Sequence, residues 1–110
     1  MIIIRNKFIP FGGYKAINIF GILFVKKNAN IDDVTINHEK IHTKQIIELL
    51  FIFFYIWYGI ELLIRYIINK KTAYKNILFE KEAYFNEKDL DYLNRRKPYS
   101  WLIQKYPNVS

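Results

Sequence analysis

At 110 residues, 52% hydrophobic and 25% charged, the chain has room for one modest core, so one domain over residues 1–110 is expected, and it carries too much apolar surface for a disordered segment. It has no Cys, two His and ten acidic residues, which excludes disulfides and thiolate ligands and leaves imidazole and carboxylate to hold any metal. Seventeen basic residues give a net charge of +7, which favours anionic partners without choosing among nucleic acid, phospholipid headgroups and acidic proteins.

The start, Met1 to Arg5, lacks the basic stretch, the apolar run of ~7–15 residues and the small-residue cleavage site of a signal peptide, so the expected location is the cytoplasm, with membrane association open. Ile-, Phe- and Val-rich stretches punctuated by Pro10 and Gly12–Gly13 read as a short strand, a turn and a longer strand from Lys15 to Lys26. A polar connector from Lys26 to Asn30 follows. Asn30 as a cap and Asp33 as a first-turn acid then mark the start of a helix that contains both histidines.

From Ile46 to Ile68 the chain is almost unbrokenly apolar, but its uncharged core, Leu49 to Ile60, is 12 residues long, against the ~20 of a bilayer span. Glu61 and Arg65 would each cost roughly 2.5–3.5 kcal/mol at a bilayer centre. The expected arrangement is two buried helices meeting near Tyr58–Gly59, the alternatives being membrane contact or an oligomer interface. After a polar break at Asn69 to Thr72, the spacing predicts an amphipathic helix from Ala73 to Leu93. Arg95–Arg96–Lys97–Pro98 ends it, and Tyr99 to Tyr106 is one more short apolar element.

Chemistry concentrates at His38-Glu39-Lys40-Ile41-His42. Two histidines four apart on a helix share a face and can meet one cation, while Glu39 can reach water on that cation and take its proton. Both histidines of the chain are used at this spacing. A catalytic zinc usually takes three protein ligands and one water, so the third ligand must be acidic. The richest cluster runs from Phe79 to Glu87, where Glu80 and Glu82 are the contenders.

With these residues the chain resembles the gluzincin metallopeptidases, in which the helix bearing the two histidines is followed by a helix that donates a Glu. Its size resembles the minigluzincins, minimal counterparts of the catalytic domains of integral-membrane peptidases. In the related prenyl-protein peptidases the ligand Glu stands three residues before an Ala that precedes an Asp. Glu80-Lys81-Glu82-Ala83 matches the first part, and the resemblance implies Glu80 as third ligand. Tyr84 stands in place of the Asp, which orients a ligand His in that family.

The resemblance implies a helix-rich α+β minimal zincin: a short N-terminal β-ribbon with Ile17 to Val25 as edge strand, an active-site helix, and a glutamate-donating helix. It implies Zn2+ bound by His38, His42 and Glu80, Glu39 as general base, and a peptide or unfolded protein as substrate. It also implies that the Tyr99–Tyr106 segment or self-association could hold the enzyme latent. The oxyanion donor would have to be a Tyr or an Arg. Two non-catalytic readings compete. One is a basic module contacting phosphates through Arg65, Lys70, Lys71, Lys75 and Arg95 to Lys97, which no recognisable nucleic-acid motif supports. The other is a small protein with Leu49 to Ile68 on an anionic membrane.

Overall fold

The computed structural model describes residues 1–8 and 15–108, so the turn expected at Pro10 and Gly12–Gly13 lies outside the described residues. The architecture is α+β. Strands β1 (Ile2–Asn6), β2 (Ala16–Ile19) and β3 (Ile22–Lys26) form one sheet in the order β1-β3-β2, with β1 parallel and β2 antiparallel to β3. Helices α1 (Asp33–Glu48), α2 (Ile52–Ile68), α3 (Leu78–Asn86), α4 (Tyr92–Arg95) and α5 (Ser100–Ile103) follow, with a 3-10 turn at Tyr74–Asn76 before α3.

The single long strand expected from Lys15 to Lys26 is instead a tight hairpin. Ile19 pairs with Ile22, and the two residues between them, Phe20 and Gly21, both have positive φ, 52° and 87°. Such a two-residue turn matches the twist of the flanking strands. Asn18 then ties the hairpin to α1: its Nδ2 donates to Glu39 O at 3.0 Å and Thr43 Oγ1 at 3.1 Å, and its Oδ1 accepts from Gly21 N at 2.9 Å.

The cap of α1 is Asp32 rather than Asn30, accepting from Thr35 N at 2.8 Å, with Asp33 as the expected first-turn acid. Its buried residues Asn37, His38, Ile41, His42, Gln45 and Ile46 recur at the three-to-four-residue spacing of one helix face. The stripe facing the interior is therefore largely polar.

The apolar run breaks before α2 and not at Tyr58–Gly59. Leu50 and Phe51 take positive φ, 54° and 65°, and Phe51 N bonds back to Ile46 O at 2.8 Å. From there α2 is continuous through Gly59, and of its 17 residues only Phe54 is buried. The expectation of two buried helices fails because the core is small: around α2 it is a cluster of Ile46, Phe54, Ile77, Phe79 and Trp101, flanked by part-buried neighbours, with Leu23, Val25, Ile41, Ala73 and Ala83 the other buried hydrophobics among the described residues.

The amphipathic helix expected over Ala73–Leu93 is shorter and interrupted. Ile77 is extended, and Leu78 N, an orphan donor at the start of α3, is met by Glu61 Oε2 of α2 at 3.0 Å. At the other end Asn37 Nδ2 of α1 donates to Glu87 O at 2.8 Å and Asp89 O at 3.0 Å, holding the chain as it leaves α3. Side chains of the two preceding helices thus bracket α3. The Tyr99–Tyr106 segment covers the core: Trp101 is 1% exposed and packs 4.7 Å from the Phe79 ring, and Tyr106 lies against Phe85.

Phe79→Ala should therefore destabilise the protein by about 3–5 kcal/mol, whereas Phe53→Ala on the exposed side of α2 should change stability by no more than about 0.5 kcal/mol. Urea unfolding followed by circular dichroism measures both.

Candidate metal centre

The first turns of α3 bring Glu80 under the polar stripe of α1. His42 Nε2 lies 2.9 Å and His38 Nε2 3.2 Å from Glu80 Oε1, and the two Nε2 atoms are 3.2 Å apart. All three residues are buried, at 7%, 6% and 2% exposure for His38, His42 and Glu80. Zinc bonds imidazole N and carboxylate O at about 2.0–2.1 Å, which places tetrahedral donors about 3.3 Å apart. The donor set fits a zinc ion after an opening of a few tenths of an ångström.

What surrounds the donors fixes their chemistry. Gln45 Nε2 donates to Phe79 O at 3.0 Å and Glu82 Oε1 at 2.8 Å, both pure acceptors, so its Oε1 must be the atom facing His42 Nδ1 at 2.7 Å. His42 Nδ1 is therefore a donor. His38 Nδ1 likewise donates to Glu87 Oε1 at 2.9 Å. With both Nδ1 atoms committed as donors, each ring when neutral turns an Nε2 lone pair to the same point, the tautomer a metal ligand requires. In the metal-free protein His42 carries a second proton on Nε2, donated to Glu80 Oε1. Glu80 Oε2 accepts from Tyr58 Oη at 2.7 Å, leaving Oε1 for the histidines.

Glu80 and Glu82 separate cleanly. Two residues apart on a helix they face different ways, and Glu82 sits fully buried against Arg96, whose Nε is 2.5 Å from Glu82 Oε2, and against Tyr92 Oη at 2.6 Å. Arg96 also holds Glu48 through both terminal nitrogens at 3.1 and 2.9 Å. Tyr84, at the position of the resembled family's Asp, packs its ring 4.6 Å from His38 without supplying a carboxylate, and Glu87 makes the contact to His38 Nδ1 instead. Sequence reading passed over Gln45 and Glu87 as functional residues. A signal was present: Gln45 lies seven after His38, and Glu87 seven after Glu80, which is two turns along one face.

Glu39 is half-buried and borders a cleft of about 500 Å³ lined also by Lys15, Ala16, Asn30, Ile31, Asp32 and Thr35. The lining includes the start of β2 and none of residues 99–106. β2 pairs only with β3, so among the described residues its other edge carries no strand. No known family model, curated protein or solved structure matches the chain.

Electrostatics follow from burial and proximity. Burial acts to lower the pKa of His42, but the Glu80 carboxylate beside it raises it further, to about 9. Burial acts to raise Glu80, and the positive His42 with hydrogen bonds from His38, His42 and Tyr58 more than offsets it, holding the carboxyl well below the usual range. Burial pushes Glu39 up, a shift that the two histidines moderate. Tyr58 and Tyr74 are driven upward by burial and by the Glu80 charge, so both stay protonated donors near it.

The His42 shift sets a pH signature for the metal-free protein. A folded pKa of about 9 above the ordinary ~6.5 stabilises the fold fully below pH 6.5. That stabilisation is lost as pH rises through 9. Glu80, shifted the opposite way, contributes a constant amount over that window. Urea unfolding in chelator should show stability falling between pH 6.5 and 9, and His42→Gln should flatten the slope.

Proposed function

We propose that the chain is a zinc-dependent metallopeptidase of the HExxH type, similar to the minigluzincins, with His38, His42 and Glu80 as ligands and Glu39 as general base. The observation that carries this reading is the convergence of two Nε2 atoms and one carboxylate oxygen within 3.2 Å of one another, with each Nδ1 committed to its own acceptor.

His38, His42 and Glu80 would hold a zinc ion there, which would supply polarisation of a peptide carbonyl and a water with its pKa lowered to about 7. The protein's own residues supply the rest. Glu39, its pKa raised by burial, is closer in proton affinity to such a water than an exposed Glu and would take its proton. The open edge of β2 beside the cleft aligns an extended peptide through backbone hydrogen bonds. Glu87 and Gln45 keep the ligand rings from turning, and Tyr58 keeps Glu80 from rotating away.

Elemental analysis after dialysis tests the ligands. Wild type and Glu82→Gln should each retain about one zinc per chain, and His38→Ala/His42→Ala and Glu80→Ala none. Glu87→Gln should weaken zinc about 10- to 100-fold. Glu39→Gln should keep its zinc and lose chelator-sensitive cleavage of an unfolded protein by about 10²–10⁴-fold. A folded wild type that takes up no zinc at saturating concentration sinks the whole reading, and zinc uptake without chelator-sensitive cleavage sinks the peptidase half.

A further inference from the structure

Helix α2 is built the wrong way round for a helix that faces water. Apart from the exposed Tyr66, its polar side chains turn toward the protein: Tyr55 Oη bonds Phe20 N at 2.8 Å, Tyr58 Oη bonds Glu80, and Glu61 accepts from Leu78 N and from Trp57 Nε1 and pairs with Arg65. Outward it presents hydrocarbon, with Phe53, Ile56, Ile60, Leu63, Ile64 and Ile67 between 51% and 76% exposed. Ile52 and Ile68 mark the margins of this face and lie about 160° apart at 3.6 residues per turn. The face is broader than the narrow seam by which two helices pair in a coiled coil.

Charge selects the occupant. Between Lys44 and Lys71 the only acidic residues are Glu48 and Glu61. Their side chains are 13% and 12% exposed, Glu48 held by Arg96 and Tyr99 N, Glu61 by the partners above. The exposed part of this stretch therefore carries apolar groups and the positive charges of Lys44, Lys70 and Lys71, with no negative charge. The apolar surface continues through Leu50 and Phe51 to Phe20 at the hairpin tip, whose ring is 6.1 Å from that of Phe51. No single helix among the described residues is long and apolar enough to cross a membrane, and α2, at ~26 Å for its 17 residues, is shorter than a ~30 Å hydrocarbon core.

We propose that α2 docks the protein onto an anionic lipid surface, lying in the plane of the interface with its Phe53–Ile67 face in the acyl boundary and Lys70 and Lys71 among the headgroups. The proposal stands apart from the metal reading, because it uses the opposite side of the helix from Tyr58.

The two tryptophans give a direct readout: Trp57 lies on α2 at 39% exposure and Trp101 is buried at 1%. Purified full-length protein is mixed with phosphatidylcholine vesicles with and without phosphatidylserine, and sedimentation and tryptophan emission are recorded at low and high salt. Co-sedimentation with the serine-containing vesicles, weakened by salt, is expected, with a shift of emission to shorter wavelength that Trp57→Phe removes. Ile60→Glu/Ile64→Glu, with both sites exposed and the fold checked by circular dichroism, should weaken partitioning roughly a hundredfold, the effect of withdrawing two aliphatic side chains from lipid. A wild type that stays in the supernatant with every vesicle overturns the proposal. So does self-association in the ultracentrifuge, abolished by the same double variant, in a protein that does not bind vesicles; that would assign the face to a second copy of the chain. Equal binding to neutral vesicles overturns the role of the lysines.

Discussion

A carboxylate at 2% exposure is costly to bury, and the fold around it is largely an answer to that cost. An isolated ionised Glu would lose several kcal/mol of hydration on entering such a site and would protonate instead. Glu80 stays ionised because the positive His42 and a phenol point at it, with His38 packed against the same oxygen. Those three groups come from α1 and α2, and Glu80 itself from α3, so satisfying one charge fixes three helices relative to one another. A cation held there would answer the same need as the His42 proton does.

The requirement propagates outward through groups that have no freedom of their own. Gln45 can face His42 with its oxygen only because Phe79 O and Glu82 take its amide protons. Glu82, buried in turn, needs Arg96, and Arg96 reaches on to Glu48 at the end of α1. The chain after α4 is thus tied to the helix that carries the histidines by a continuous line of charged and amide groups. Removing one member leaves its neighbour buried and unpaired, which costs more than the pair contributes when intact.

Legibility in the sequence followed locality. The spacing of His38, Glu39 and His42 shows its geometry directly, since any helix puts residues four apart on one face. The α+β class could likewise be read from the residues. Glu80 over Glu82 came from a resemblance; both reach α1, Glu80 at the two histidines and Glu82 at Gln45. What failed depended on distant partners. No Gly or Pro announces the break at Leu50–Phe51, which closes through a bond to Ile46 O. The start of α3 is met by Glu61, 17 residues upstream, and its exit is held by Asn37, 50 residues from Glu87. Periodicity within Ala73–Leu93 contains neither signal. The hairpin turn was the exception: Gly21 marked it, and the adjoining Phe20 in a positive-φ position hid it.

The same economy explains why the most apolar segment of the chain is among its most exposed. Hydropathy alone assigns Ile52 to Ile68 to the core, but the cluster of five buried side chains against which α2 packs has space for one face of one such helix. Which face turns inward is decided by the strongest unsatisfied groups nearby. The backbone donor of Leu78 and the carboxylate of Glu80 both need α2's polar atoms, and Glu61 and Tyr58, three apart on that helix, meet them together. Turning α2 to bury its hydrocarbon would withdraw both, leaving an orphan amide at the start of α3 and a less supported charge beside the histidines. The exposed apolar face is therefore the consequence of holding the site, and any partner that covers it does so without competing for the residues on which the site depends.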